Sequence, residues 1–157
     1  MDLVQVGARW LHLVATVAMI GYYAVLGVLV LPALRQAGSA RALGETIAAM
    51  ERRALPIIVG SLVAFLATGV YLMGADTRYS GVGEITDSWS TLLLVKHVVV
   101  AVMVALGVYI DAIIVRRLAP PDAADQDAAA RWLMVVAAVM TGLGLLVLYL
   151  TAAAQAS

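Results

Sequence analysis

Four long apolar stretches constrain this 157-residue chain more than any other feature: residues 10–34, 54–74, 91–115 and 132–152. A span of the hydrocarbon layer takes about 20 mostly apolar residues in a helix, and each stretch meets that length. Backbone polar groups in lipid must be satisfied within the segment, which selects helices over open strands. Short connections between four spans favour an antiparallel partner for each. The sequence therefore predicts an all-α integral membrane four-helix bundle, up-down-up-down, in one domain over residues 1–157.

Composition enters here as a filter. Hydrophobic residues make up 64% and charged residues 13% of the chain, and mean hydropathy is +0.99. A soluble domain carries about a quarter charged residues. Ten Lys plus Arg balance ten Asp plus Glu, so no basic excess exists to hold a nucleic-acid backbone, and that partner is excluded. The absence of cysteine removes disulfides, thiolate metal sites, a Cys nucleophile and covalent haem attachment. The first stretch follows Asp2 rather than a basic segment and exceeds the apolar core of a secretory signal, so it reads as a retained span.

The connections suggest structure and orientation. Residues 35–53 read as an amphipathic interfacial helix, with Arg41 and Glu45 at i,i+4 and Pro56 at the membrane entry. Residues 76–90 read as a polar, turn-rich loop. Pro120-Pro121 breaks the third helix and Asp122 reads as the cap of the fourth. Arg35, Arg41, Arg52, Arg53, Arg116, Arg117 and Arg131 fall on one side, against Arg9, Arg78 and Lys96 on the other. The positive-inside rule then places both termini outside the cytoplasm, in the cytoplasmic (inner) membrane. Trp10 and Trp89 are expected in the outer aromatic belt and Trp132 in the inner one.

Chemistry is left to few residues. The two histidines, His12 and His97, lie near the outer ends of spans that run parallel. His12 precedes Arg35 by 23 residues and His97 precedes Arg116 by 19, a depth difference of about 6 Å that tilt absorbs. Intramembrane polar side chains turn inward to partners, and two facing imidazoles suit the axial positions of a b-type haem. Thr16 and Ala101 are small enough beside them to admit a flat macrocycle. Arg9, Lys96 and Arg78 then stand where propionates would emerge, or snorkel to lipid head groups. The plainer alternative is interhelical hydrogen bonding with no ligand. A closed zinc site, wanting four ligands, is not supplied.

Asp111 is expected to pair with Arg52 or Arg53 in a structural ion pair. The seven methionines are dispersed as core fillers; Met19, two turns beyond His12 on the same face, is the one with a copper reading. Gly21, Gly27, Gly60, Gly69, Gly107, Gly142 and Gly144 read as sites of close helix approach. No nucleophile–base pair, phosphate loop, dinucleotide fingerprint or zincin motif is present.

Trp10-Leu11-His12 with Gly21 and Pro32, Arg52-Arg53 before Thr68-Gly69, and Thr91-Leu-Leu-Leu-Val-Lys96-His97 together resemble the CopD copper-resistance membrane family. The layout is also similar to HemJ-type protoporphyrinogen oxidases. The resemblance runs over about the first 115 residues. The CopD likeness implies copper handling at the outer membrane face, with His12, Met19 and His97 as successive ligands. The HemJ likeness implies haem binding carried by His12 and Lys96. Taken together, the residues favour a membrane protein holding haem b between His12 and His97 for electron transfer or haem-dependent oxidation. Its partners would be the lipid bilayer with a quinone or an outer-side redox protein. A copper transporter and a structural subunit of a larger membrane complex stand as alternatives, and a homodimer stays open.

Overall fold

The computed structural model describes residues 2–37, 40–79, 81, 87–110 and 123–156. Every regular element among them is helical. Helix α1 spans Leu3–Val25 and passes through a π-helical turn, Leu26–Val30, into α2, Leu31–Ala37. Helix α3 spans Ala40–Gly74, α4 Ser88–Tyr109 and α5 Ala123–Ala156. Four helical segments, Leu3–Gln36, Glu45–Gly74, Ser88–Tyr109 and Ala128–Ala156, are long and apolar enough to cross a membrane. The chain is an integral membrane four-helix protein.

Local chemistry sets the boundaries. Asp2 caps α1 by accepting from the Val4 N–H at 3.2 Å. The π turn coincides with Gly27 and directly precedes Pro32, whose ring clashes with the carbonyl four residues back and whose missing N–H frees it. A widened turn absorbs both, a common fate of such sites in helices. Of the interfacial helix expected over 35–53, residues 35–37 close α2 and residues 40–53 begin α3. That helix runs 35 residues without a break, through Pro56. Asp87 and Ser90 form a reciprocal capping box at the start of α4, with Ser90 N–H donating to Asp87 Oδ1 at 2.8 Å and Asp87 N–H donating to Ser90 Oγ at 3.2 Å. That places the start of α4 before the expected Thr91, because the cap sits at the edge of the polar loop. The Pro120-Pro121-Asp122 break and Asp111 lie outside the described residues; Arg52 and Arg53, its expected partners, are exposed on α3.

Helix α1 packs along α3 and α5, and α4 packs along α5. Two glycines show the antiparallel seam of α1 and α5. A Cβ on Gly27 would stand 3.1 Å from Ala137 Cβ, and one on Gly144 would stand 2.7 Å from Ile20 Cγ1. Without a hydrophobic force between helices in lipid, such close approach supplies the van der Waals contact that holds them. Gly69 and Gly107 also lie at close contacts, whereas Gly21, Gly60 and Gly142 face open space within 4 Å and do not serve the role expected of them.

Packing is densest at one end. Tyr23, Leu26, Leu31, Ile47, Leu133 and Met140 belong to one buried cluster that joins α1, the π turn, α2, α3 and α5, with Met103 and Ile110 from α4. This is the Arg-rich end of the bundle. Trp132 and Trp10 are 61% and 65% exposed, whereas Trp89 is buried, 7% exposed, beneath Arg78.

Candidate functional site

The other end of the bundle, around His12, is built differently. His12 emerges from the third turn of α1 and its ring stacks on Phe65 of α3, with centroids 4.4 Å apart and planes inclined by 22°. Gly69 leaves room for the ring edge: a Cβ there would lie 3.3 Å from His12 Cε1. His12 Nδ1 is 3.1 Å from the Phe65 carbonyl oxygen and 2.9 Å from Thr68 Oγ1. The Thr68 hydroxyl donates its single proton to the Ala64 carbonyl at 2.6 Å, so its oxygen accepts at Nδ1. Both neighbours of Nδ1 are then acceptors, which assigns the ring proton to Nδ1 and leaves Nε2 of the neutral imidazole with a free lone pair. Thr16, buried on the same helix, donates to the His12 carbonyl at 2.7 Å. It steadies the backbone rather than opening space beside the ring.

A Cβ on Gly107 would contact the Tyr23 hydroxyl at 3.3 Å, so the tip of the Tyr23 side chain reaches α4 there. Nearer the N-terminus of α4, Lys96 is half-buried, and His97 is turned about 100° from it round the helix. It is exposed, and its Nδ1 donates to the Leu93 carbonyl of its own helix at 2.6 Å. Ala101, one turn from His97, is exposed on that same side.

No contact joins the His12 and His97 rings among the described residues, and nothing in the structure supports haem b between them. Adjacent residues on a helix differ by about 100°; of this pair Lys96 is half-buried while His97, like Ala101, is exposed. Arg9 is exposed. Arg78 is committed elsewhere. It pairs with Asp76 at 3.1 Å, donates to the Ala154 carbonyl at 3.4 Å, and lies 5.0 Å over the Trp89 ring. The guanidinium and backbone N–H of Arg78 hold the Asp76 carboxyl below its ordinary range. The Ser90 backbone N–H and hydroxyl do the same for Asp87. These groups clasp the loop after α3 to the ends of α4 and α5.

Phe65 and Thr68, which orient the imidazole, were not singled out as partners by reading the sequence; Thr68-Gly69 was noticed only as part of a resemblance. The signal was present as a polar residue and a glycine adjacent in an apolar span, opposite an intramembrane histidine. No group of three or more His, Asp or Glu side chains converges among the described residues. Met19 lies seven residues beyond His12, about 10 Å along the axis, which makes it a neighbouring position rather than a co-ligand.

No curated protein and no solved structure matches this chain. A family model, copper resistance protein D, matches residues 48–154. The match takes in Arg52-Arg53, Phe65, Thr68-Gly69 and the Thr91–His97 segment, and it begins after the Trp10-Leu11-His12 motif. Since the matched stretch is well over half of its length, the chain belongs to the copper resistance protein D family.

Proposed function

We propose that this protein handles copper within the membrane, with His12 Nε2 as a ligand through which the ion passes. The observation that carries the reading is the seating of His12 Nδ1 on two oxygens, the Phe65 carbonyl and Thr68 Oγ1. A metal-binding imidazole characteristically donates its other ring N–H to a carbonyl or hydroxyl, which orients the ring and raises its basicity. Phe65 and Thr68 provide that support in a span with few other polar groups. Copper is written here as cargo. A single imidazole holds an ion weakly enough to release it, and thioethers such as Met19 suit Cu(I) as a next position. Of the two family likenesses, the matched model supports the copper one, and the position of His97 speaks against haem b between the histidines. The excess of arginines at the opposite end supports an orientation with both termini and His12 toward the outside of the cytoplasmic membrane.

The test is Cu(I) competition with a chromophoric chelator on the detergent-purified protein. His12→Ala is expected to weaken binding by more than about 100-fold, beyond the 10–100-fold effect of losing a supporting partner. His97→Ala is expected to leave binding within about twofold, since its ring faces away. Equal losses from both substitutions, or a Soret band in the purified protein that vanishes in both, would return the assignment to a bis-histidine site.

A further inference from the structure

Among the described residues, the glycines of the helices differ in what a side chain would meet. Gly21, Gly60 and Gly142 have nothing within 4 Å of a Cβ. Gly27 and Gly144 let α1 and α5 touch through Ala137 and Ile20, and Gly107 meets the tip of Tyr23. Gly69 meets the candidate ligand itself. The atoms that a Cβ there would find within 4 Å are His12 Cε1 at 3.3 Å and His12 Nδ1 at 3.8 Å. The Nε2 corner of the ring lies beyond that range.

The gap at residue 69 decides where the ring can lie. One face of the imidazole rests on Phe65, with centroids 4.4 Å apart, so the ring has no room to retreat in that direction. Its Nδ1 is 2.9 Å from Thr68 Oγ1 and 3.1 Å from the Phe65 carbonyl oxygen, and good N–H···O distances end at about 3.2 Å. Carbon atoms in contact prefer about 3.5–4.0 Å, so a methyl group on residue 69 would push the ring edge outward by a few tenths of an ångström. The contact to the Phe65 carbonyl, already near its limit, does not survive that displacement. Residues 65, 68 and 69 lie within little more than one turn of α3, so stack, carbonyl, hydroxyl and gap form a single seat for a single ring.

We infer that Gly69 is a positioning residue: its missing side chain lets the His12 ring lie on α3 with Nδ1 on both oxygens and Nε2 turned away from residue 69. Gly69 touches no ion and acts through His12. The inference rests on the copper reading for the ion that Nε2 takes, but the ring measurement below is made without copper, so the two can fail separately.

Nitrogen NMR of the detergent-purified protein, isotopically labelled at its histidine nitrogens and held in mildly alkaline buffer, tests the assignment. The His12 signals are those lost in His12→Ala. Wild type is expected to show a protonated Nδ1 and an unprotonated Nε2. Gly69→Ala is expected to move both signals toward the mixed-tautomer average of a free imidazole and to weaken Cu(I) binding about tenfold, the scale of losing an orienting partner. Gly60→Ala adds the same methyl to the same helix in open space and is expected to change neither. Thermal unfolding closes a double-mutant cycle: any stability lost in Gly69→Ala is expected to be regained in the His12→Ala background, where the ring that the methyl meets is gone. That cycle decides the matter if Gly69→Ala alone folds poorly. Unmoved His12 signals in Gly69→Ala, or a defect that persists with His12→Ala, would overturn the inference. Signals that move while Cu(I) affinity holds would support Gly69 as a positioning residue and remove His12 from the copper path.

Discussion

The two ends of this bundle are built on opposite principles. At the Arg-rich end, Leu26, Leu31, Ile47, Ile110 and Leu133 are each at most 2% exposed and interlock across four helices. At the His12 end, the buried side chains are fewer and include Thr16 and Thr68. One end is an apolar jigsaw whose stability comes from contact. The other exchanges contact for a few placed polar groups: an imidazole held on a carbonyl and a hydroxyl, and a half-buried lysine on α4. The difference teaches that a small membrane bundle keeps a polar site by concentrating its packing elsewhere, because each polar group there forfeits van der Waals partners.

The sharpest way to break this contrast is to damage the packed end. Leu133→Ala, at a fully buried position, is expected to cost about 3 kcal/mol of stability through lost contact and cavity. Reversible unfolding in mixed micelles measures it. A cost below about 1 kcal/mol would show that the cluster at this end does not anchor the bundle. Thr68→Val probes the other end with nearly constant volume. Stability is expected to fall by about 0.6 kcal/mol, the usual worth of an intramembrane hydrogen bond, while Cu(I) affinity falls by about tenfold as the imidazole loses its orienting partner. If stability suffers and copper binding does not, Thr68 is only structural.

The smallest effect concerns the clasp at the membrane surface. Asp76 and Asp87 titrate below the ordinary carboxylate range in the folded protein, the first through Arg78 and the second through Ser90. A depressed folded-state value means the stabilisation is complete above the unfolded value, about 3.9, and drains away as pH falls through the lower, folded one. The thermal midpoint should thus be flat from neutral pH to about pH 5 and drop below about pH 4. Asp76→Asn should lower the midpoint slightly at pH 7 and soften the acid drop. An unchanged acid profile in that variant would assign the drop to other carboxylates.

Much of this was legible in the sequence, for a physical reason. Hydrocarbon admits few backbone solutions, so four apolar stretches dictate four helices before any contact is known. Intramembrane His12 and Lys96 stood out because polar groups there are costly. Other features were hidden. Neither the π turn at Leu26–Val30 nor the continuity of α3 through Pro56 is written in hydropathy, since both depend on how neighbouring helices absorb a lost hydrogen bond. The choice between His97 and Lys96 was invisible as well. Adjacent residues differ by about 100° on a helix, and only the neighbour against which α4 packs says which one turns inward.

The sequence by itself thus determined the class of molecule, the number of spans and the short inventory of groups able to do chemistry, because transfer into lipid acts on each segment alone. Only the tertiary structure decided which of those groups meet. It set His12 on Phe65 and Thr68, turned His97 outward, locked Arg78 onto Asp76 and Trp89, and left Lys96 half-buried on α4. Those outcomes depend on helix rotation and on which pairs pack closely, quantities fixed by shape complementarity between segments far apart in the chain.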